Sequence, residues 1–408
     1  MYDIIVIGAG AIGSYTAYGL AKLGYKIAIL EQKQAIGSKV CCSGIISREC
    51  YDLFCPDDNT VLREVRAAKL FAPSGQHIRL EKDAIQAYIV DRTAFDIALA
   101  KKAQKAGVEY LLQSHVTHLT PREEGWEVEL SRHGHRQRLE AKVAILACGF
   151  GSTIPEKLGL GKISRFSFAA QAKVDTKIDE VEIYFDQDMA PGGFSWLVPT
   201  SDGKGLAGVI SRRNARLCLD GFLTKLMSRG KIYYSNSEIR QKAIPLRILP
   251  HTYSNRLLVV GEAAGQVKPT TGGGIYFGLL CADLAVATLH RAFLADDLSP
   301  KQLSAYQREW QRKLGPELRI SHAARQLYNK ISRTQIERLL DIIRTYKIDE
   351  KMLQWEDYSF DFHGRLILKM LRQPKLLLTL ATPKLVFSIG SIAALWLTLK
   401  NRSGLRRS

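Results

Sequence analysis

The sequence of 408 residues lacks several patterns that define other classes of protein. Its seven cysteines are odd in number and contain no C-x-x-C spacing, which argues against a disulfide framework, a zinc site and an iron–sulfur cluster. The nine histidines form no H-x-x-x-H spacing, and His133 and His135 fall in a polar hairpin, so no metal is predicted. No signal peptide, repeat or low-complexity segment is visible. Together with the cysteine usage, this indicates a reducing, cytoplasmic compartment.

Acidic residues are in the minority: 58 lysines and arginines stand against 40 aspartates and glutamates, which gives a formal net charge of +18. The excess is concentrated in residues 301–408, which carry 21 basic and 9 acidic side chains. Such a surplus indicates an anionic partner, either a phosphorylated substrate or an acidic membrane surface. The sequence has no interleaved basic and aromatic stripe and no RNP-like motif, so nucleic acid is not expected as a partner.

The C-terminal region contains an apolar segment that is short for a membrane span. The run LVFSIGSIAALWLTL, at 385–399, has 15 uncharged residues, whereas a spanning helix needs roughly 20. The preceding LLLTLAT extends the segment to 376–399, but Pro383 would then introduce a kink. We expect this segment either to associate with the cytoplasmic face of a membrane or to form a buried cap over the substrate site.

The most informative stretch that is present is YDIIVIGAGAIGSYTAYGLAKLGYKIAILE, at 2–31. An apolar strand leads into G-x-G-x-x-G (Gly8, Gly10 and Gly13), then a helix, then a second strand that ends in Glu31. In a dinucleotide-binding turn the first glycine makes the turn, the second admits a pyrophosphate and the third lets the helix pack closely. An acid after the second strand accepts hydrogen bonds from an unphosphorylated ribose, which favours FAD or NAD over NADP.

A second glycine-rich stretch, GEAAGQVKPTTGGGIYFG at 261–278, follows the apolar strand in NRLLVVG. Its three consecutive glycines, 272–274, would open an apolar helix and expose backbone N–H groups with no side chains in the way. A dinucleotide held at its pyrophosphate by the first turn still needs a site for its ring system. We therefore expect the two turns to bind one FAD, with the second turn seating the ribityl chain and the ring edge.

With these motifs the sequence resembles the geranylgeranyl reductase family of flavoproteins, within the larger group built like para-hydroxybenzoate hydroxylase. The resemblance covers roughly residues 1–345 and includes both glycine turns. Three further segments carry it: CCSGIIS (41–47), VDRTAFDIALAKKAQKAG (90–107) and PGGFSWLVPTSDGKGLAGV (191–209). The last of these looks like the prenyl-site signature of the family.

The resemblance implies roles for individual residues. Ile12 would offer its backbone to the phosphates, Arg92 would steady the polar linkage of the cofactor, and Val116 would cover the adenine side. Glu262, where most relatives carry Asp, would face the ribityl or pyrophosphate region. Cys42 would line the flavin and is the candidate proton donor or relay. With the first turn included, the predicted cofactor-binding residues are Gly8, Gly10, Ile12, Gly13, Glu31, Cys42, Ser43, Ile45, Arg92, Val116, Glu262, Gly273, Gly274 and Ile275. The predicted substrate-binding residues are Phe194, Trp196 and Pro199.

The predicted fold is α/β, with a Rossmann-like FAD-binding domain of the para-hydroxybenzoate hydroxylase type, an inserted mixed β-sheet substrate domain and a C-terminal helical extension. The FAD-binding domain is expected to be discontinuous, at 1–165 and 250–295, with part of the substrate sheet at 66–90. The β-rich substrate domain is expected at 166–249 and the helical region at 296–408.

The predicted activity is reduction of carbon–carbon double bonds in a geranylgeranyl or polyprenyl chain, carried by a lipid or a diphosphate, with hydride transfer from reduced FAD. The sequence shows no second nucleotide fingerprint, so NAD(P)H docking transiently or a ferredoxin would supply electrons. Two alternatives remain open from the sequence. One is an FAD-dependent monooxygenase on the same scaffold. The other is a membrane-bound flavoprotein that carries electrons to quinone.

Overall fold

Strands and helices alternate along most of the chain, and the described residues after position 275 are largely helical. The structure is a computed structural model that describes residues 1–55, 58–201, 203–233, 238–355, 358–380 and 392. The strands are β1 (Tyr2–Ile7), β2 (Ile27–Leu30), β3 (Ile45–Ser47), β4 (Val61–Val65), β5 (Ala67–Phe71), β6 (His77–Glu81), β7 (Ala87–Val90), β8 (Glu109–Leu111), β9 (Ser114–Arg122), β10 (Gly125–Arg132), β11 (His135–Leu146), β12 (Phe166–Thr176), β13 (Val181–Tyr184), β14 (Phe194–Pro199), β15 (Lys204–Ser211), β16 (Ile232–Tyr233), β17 (Arg240–Pro245), β18 (Tyr253–Ser254) and β19 (Leu257–Val259).

Some α-helices cover one side of the first sheet, one packs on the second sheet, and most of the others form the C-terminal part of the described chain. They are α1 (Ala11–Ala21), α2 (Arg48–Phe54), α3 (Arg92–Lys105), α4 (Ile154–Lys157), α5 (Ala215–Ser228), α6 (Ile275–Leu294), α7 (Pro300–Tyr328), α8 (Arg333–Thr345), α9 (Ile348–Leu353), α10 (Gly364–Leu371) and α11 (Pro374–Leu380). Short 3-10 helices lie at Asp58–Thr60 and Gly261–Ala264.

The first sheet contains β1 near its centre, in the order β18-β19-β11-β1-β2-β8. Strands β19, β11, β1, β2 and β8 run parallel, and β10 and β9 extend antiparallel from β11. Alternate residues of β1 serve two cores. Ile4 and Val6 pack with residues of α1, α3 and α6, whereas Ile5 and Ile7 pack toward the β9–β10 hairpin. The predicted buried parallel strand and the strand–turn–helix unit that follows it are therefore confirmed.

The second sheet combines two parts of the chain, in the order β16-β12-β15-β14-β13-β5-β6, with β17 paired to β12. Helix α5 packs on one face of it, where Ala170, Leu197 and Val209 meet Leu219 and Phe222. The opposite face of the second sheet packs against a small antiparallel sheet with the order β3-β7-β4. Because β5 joins β13 in parallel, the segment between β3 and β7 is tied to the second sheet.

The helical region begins with α7, which packs against α6 and β18. Among the described residues, α6 is long and apolar enough to cross a membrane, but 56% of its most apolar stretch is buried, against α1 and α7. It is therefore placed as a core helix of the first domain. The predicted membrane-associated segment spans 376–399, and most of it, 381–391 and 393–399, lies outside the described residues. Ile392 is described, and it is buried with Ile320, Leu327 and Leu368.

Candidate active site

The first glycine turn is shaped by the backbone packed around it. Gly8 has a φ of +110°, and a Cβ there would lie 2.4 Å from the carbonyl oxygen of Ala147. A Cβ on Gly13 would lie 2.0 Å from the carbonyl oxygen of Gly8. Both positions require glycine because a side chain would collide with the main chain. Gly10 differs, since a Cβ there would meet no atom within 4 Å. The backbone at the start of α1 is therefore open to a ligand.

Glu31 follows β2 directly and lies beside this turn. Its Oε2 accepts a hydrogen bond from the backbone N–H of Ala9 at 2.9 Å, and its Oε1 accepts one from the backbone N–H of Lys33 at 2.9 Å. The carboxylate is thereby held at the turn, at the position where the sequence predicted a ribose-binding acid.

Ile12 joins the two glycine turns. If Gly261 carried a Cβ, that atom would lie 3.2 Å from the Ile12 side chain. A Cβ on Gly278 would lie 2.7 Å from the same side chain. Gly261 begins the second turn with a φ of +69°, and Gly274 is the residue before the first turn of α6. The two turns, distant in sequence, therefore share one packed interface. The sequence assigned Ile12 a backbone role, and the structure adds this side-chain contact.

A cavity of about 680 Å³ extends from the two turns to the inner face of the second sheet. Its size falls within the range of small-molecule and cofactor sites. The predicted residues that line it are Gly10, Cys42, Ser43, Ile45, Arg92, Phe194, Trp196, Glu262, Gly273, Gly274 and Ile275. The predicted residues that lie outside its lining are Gly8, Ile12, Gly13, Glu31, Val116 and Pro199. Val116 lies within β9 and is buried in the core of the first sheet, and Pro199 ends β14.

Arg92 begins α3 and reaches the cavity with part of its guanidinium unpaired. Its Nη2 donates to Asp96 Oδ1 at 2.8 Å, whereas Nε and Nη1 are buried with no partner among the described residues. The pKa of Arg92 is raised above its ordinary value. Burial, the largest single influence, would lower this pKa, but the interactions with Asp96 and then Cys42 together outweigh burial. A charged group with buried, unpaired donors beside a cavity needs a polar ligand to satisfy it.

Cys42 lies between hydrogen-bond donors and cations. Its Sγ accepts a hydrogen bond from the backbone N–H of Gly44 at 3.5 Å, and its carbonyl oxygen accepts one from Gln171 Nε2 at 3.1 Å. Arg92 and Lys242 both interact electrostatically with this cysteine. The Cys42 side chain therefore lies on the cavity wall between one backbone donor and two basic side chains.

Cys41, the neighbouring thiol, has a hydrogen-bond partner of its own. Its Sγ donates to the carbonyl oxygen of Arg240 at 3.6 Å, and burial raises the pKa of the thiol to about 11. Cys41 is therefore a neutral hydrogen-bond donor at physiological pH.

An ion pair that the sequence did not predict lies on the cavity wall. Lys242 Nζ, from β17, is 2.6 Å from Glu262 Oε1, from the second turn. Burial, the largest influence, would lower the pKa of Lys242, but Glu262 and then Cys42 outweigh it and raise the pKa above its ordinary value. The pair joins the second sheet to the turn. The sequence signal for it was weak, because Lys242 is an ordinary lysine in the short strand RQKAIP.

Much of the cavity wall formed by the second sheet is apolar, although Arg66, Glu81 and Lys82 also line the cavity. Phe194 and Trp196 of β14 contribute to it, together with aliphatic side chains of β5, β6 and β13. A Cβ on Gly208, opposite Trp196 in β15, would lie 2.1 Å from the indole ring, so this glycine makes room for the tryptophan. The other wall comes from the C-terminal region, where Met352, Leu353, Tyr358, Phe360 and Leu366 line the cavity. The sequence offered a cap over the substrate site only at 376–399 and did not assign residues 352–366 to the site.

Comparisons with known proteins define the class. The family model for FAD dependent oxidoreductases matches residues 3–87, and the tryptophan halogenase model matches residues 56–317. A solved structure described as geranylgeranyl bacteriochlorophyll reductase-like, from Thermoplasma acidophilum, superposes with a TM-score of 0.82 at 22% identity, covering 96% of this chain and 99% of that one. At that identity the likeness shows the fold. This protein is an FAD-dependent oxidoreductase with a mixed α/β fold.

Curated relatives narrow the class to a family. Digeranylgeranylglycerophospholipid reductase from Methanocaldococcus jannaschii is 31% identical over 84% of this chain and 90% of its own length. Digeranylgeranylglycerophospholipid reductase 2 from Methanothermobacter thermautotrophicus is 31% identical over 83% and 91%. The chain belongs to the geranylgeranyl reductase family, and the resemblance inferred from its motifs is confirmed.

The residues at the two turns fit FAD. The open backbone at Gly10 and the helix start that follows it suit a pyrophosphate, and the unpaired donors of Arg92 suit a polar linkage. Gly273 and Gly274, in the loop before α6, line the cavity. Bound flavin would supply a hydride to a substrate in the adjoining chamber.

Proposed function

We propose that this protein is an FAD-dependent reductase that saturates carbon–carbon double bonds of geranylgeranyl chains carried by a lipid or a diphosphate. The observation that carries the proposal is the continuity of one cavity from the two glycine turns to an apolar chamber bounded by Phe194, Trp196 and Phe360. A prenyl chain has no polar atoms, so an apolar chamber beside the flavin suits it. The names of the archaeal relatives, which describe a phospholipid with two geranylgeranyl chains, support this substrate class.

Cys42 is proposed to supply the proton that the second carbon of the double bond requires. The S–H bond of Cys42 breaks as the new C–H bond forms, and the thiolate keeps the electron pair. The N–H of Gly44 and the positive charges of Arg92 and Lys242 would stabilise that thiolate. A proton from solvent then restores the thiol, while the apolar walls exclude bulk water from the reacting carbons.

The test is anaerobic incubation of the reduced holoenzyme with digeranylgeranylglycerophospholipid or geranylgeranyl diphosphate, followed by mass spectrometry. Reduction adds the mass of two hydrogen atoms for each saturated bond. The same reaction opened to air would add the mass of one oxygen atom if the protein were a monooxygenase. Flavin reoxidation by quinone alone, with no change in the lipid, would indicate an electron carrier. A fully saturated lipid is the control, and it should leave the flavin reduced.

Electrons are proposed to come from NAD(P)H, docking transiently, or from a ferredoxin. The sequence carries one nucleotide fingerprint, which the FAD is expected to occupy. Anaerobic bleaching of the flavin absorbance distinguishes the two donors. Bleaching by NADH or NADPH alone would identify the nicotinamide, whereas bleaching only after addition of reduced ferredoxin would identify the protein donor.

Association with the cytoplasmic face of a membrane is also proposed. Support comes from α10 and α11, where Arg365, Lys369 and Lys375 lie next to apolar residues and Leu378 is 74% exposed. Basic residues beside exposed apolar side chains suit an anionic lipid surface. Sedimentation with vesicles tests it. Binding to phosphatidylglycerol vesicles that falls with salt supports the proposal, whereas equal recovery in the supernatant with and without vesicles contradicts it.

A further inference from the structure

A buried ion pair links the second glycine turn to the C-terminal region. Lys268, which precedes the three glycines, pairs through Nζ with Asp361 Oδ1, and both side chains are less than a tenth exposed. The backbone of Lys268 holds the loop as well. Its N–H donates to the carbonyl oxygen of Gly273 at 3.0 Å, and its carbonyl oxygen accepts from the N–H of Gly272 at 2.8 Å. Asp361 is thus joined to the loop that is expected to seat the flavin.

The surroundings fix the position of Asp361 independently of this pair. The ring of His363 bonds to Thr270 Oγ1 at 3.0 Å and donates from Nε2 to the carbonyl oxygen of Phe360 at 2.8 Å. Glu317, from α7, accepts hydrogen bonds from the backbone N–H groups of His363 at 3.0 Å and Gly364 at 2.8 Å. The segment that carries Asp361 is therefore held on both sides, against the second turn and against α7.

The second carboxylate oxygen of Asp361 has an unmet requirement. Oδ2 is buried and has no hydrogen-bond partner among the described residues, although Asp361 lines the cavity together with Lys268 and the loop at 272–274. A buried carboxylate oxygen without a donor is costly, so a ligand donor is expected there. A prenyl chain offers none. The flavin half of FAD offers ribityl hydroxyl groups and a ring N–H.

We propose that Asp361 is a flavin-binding residue, whose Oδ2 accepts a hydrogen bond from a hydroxyl or ring N–H of the flavin half of FAD while Lys268 holds its other oxygen. The C-terminal region thereby completes a cofactor site that the motifs place in the first domain. This inference deepens the proposed function but rests on FAD binding, and it does not depend on which substrate is reduced.

The first measurement is the affinity of Asp361→Asn apoprotein for FAD, followed by quenching of flavin fluorescence. Because a hydrogen bond to a charged group contributes appreciably to binding, the affinity should fall about tenfold or more. The matched control is Glu182→Gln. Glu182 pairs with Lys231 at 2.6 Å with its side chain 3% exposed, but it does not line the cavity. This control should bind FAD within about twofold of the wild type.

The second measurement uses wild-type protein, so it does not depend on the folding of a variant. FAD is compared with 3-methyl-FAD, which lacks the ring N–H, and with an analogue that lacks a ribityl hydroxyl. The analogue that lacks the group bound by Asp361 should bind to the wild type about tenfold more weakly than FAD does. The Asp361→Asn variant should bind that analogue and FAD with similar affinity. FAD affinity of Asp361→Asn within about twofold of the wild type would overturn the proposal. The proposal would also be overturned if both proteins preferred FAD over the analogue by the same factor, or if the wild type bound FAD and both analogues equally well. None of these binding outcomes bears on substrate turnover, which tests the proposed function separately.

Discussion

The two ends of the cavity are built in different ways. At the turns the protein presents backbone: Gly8 and Gly13 are fixed by main-chain packing, and Gly10 leaves its own backbone open. At the apolar end it presents side chains from separate segments, with Trp196 from β14 and Phe360 from the C-terminal region. A phosphate-rich cofactor needs N–H groups at close range, whereas a prenyl chain needs only a space of the right shape and polarity.

This difference determines how each end should respond to substitution. A backbone site has little tolerance, because one methyl group meets main-chain atoms that cannot move away. A side-chain chamber can repack, so changes there should alter substrate handling before they alter folding or cofactor binding.

The largest effect is expected at Gly13. A Cβ in Gly13→Ala would lie 2.0 Å from the carbonyl oxygen of Gly8, which forces α1 away from β1. We expect the variant to lose about 3 kcal/mol of stability and to be purified without flavin. Thermal melting and the absorbance of bound flavin measure the two effects.

Gly10→Ala is the control for this prediction, since its Cβ would meet no protein atom within 4 Å. It should keep the melting temperature of the wild type and lose affinity for FAD, because the methyl group would occupy the space open to the pyrophosphate. Equal melting temperatures for Gly13→Ala and the wild type would show that the turn is more plastic than its packing indicates.

The same difference explains what could be predicted from the sequence. The strand–turn–helix units and the helix start at Ile275 were predictable because glycine-rich turns follow apolar strands, and at Gly8 and Gly13 a side chain would collide with the main chain. The paired strands at 67–81 were predictable from their turn residues. The roles of Lys242 and Asp361 could not be predicted from the sequence. Nothing in the residue spacing of a short strand or of a C-terminal loop indicates which distant segment will pack against that strand or loop. Such contacts depend on the path of the whole chain, and they appear only once the second sheet and α7 are in place.

The next effect in size is expected at Cys42, where the two ends of the cavity meet. Cys42→Ser replaces the thiol by a much weaker acid in the same position. If the thiol supplies the proton, kcat should fall about 100-fold while FAD affinity stays near that of the wild type. Steady-state rates with the prenyl substrate and a flavin titration measure these quantities.

Cys41→Ser serves as the matched variant, because Cys41 is an adjacent thiol whose pKa is raised by burial and whose proton is engaged by the carbonyl oxygen of Arg240. It should change kcat by no more than about threefold. If both serine variants retain full activity, the proton comes from another group, and Lys242 with Glu262 would be the next pair to test.

A smaller effect is expected at the apolar end. Gly208→Ala would place a Cβ 2.1 Å from the indole of Trp196 and push the ring into the chamber. We expect kcat/KM for the prenyl substrate to fall about tenfold, with FAD binding retained. Gly221→Ala, in α5, is the control: its Cβ would come no closer than 3.6 Å to Met189 Sδ, so activity should be unchanged. Loss of flavin in Gly208→Ala would contradict the separation of the two ends.

The last effect concerns stability at low pH rather than activity, and it arises where the C-terminal wall meets the second turn. Burial, followed by the charge of Lys268, lowers the pKa of His363 to about 4, so the folded protein binds fewer protons than the unfolded chain between pH 4 and the ordinary value of 6.5. The stability contributed by neutral His363 is therefore present above pH 6.5 and lost as the pH falls through that window. Urea unfolding should show that the wild type loses about 2 kcal/mol more than His363→Gln between pH 7 and pH 5. Glutamine can donate a hydrogen bond to the carbonyl oxygen of Phe360, but it cannot take up a proton in this pH range. If the stability of the two proteins depended on pH in the same way, the C-terminal wall would open to water before His363 is protonated.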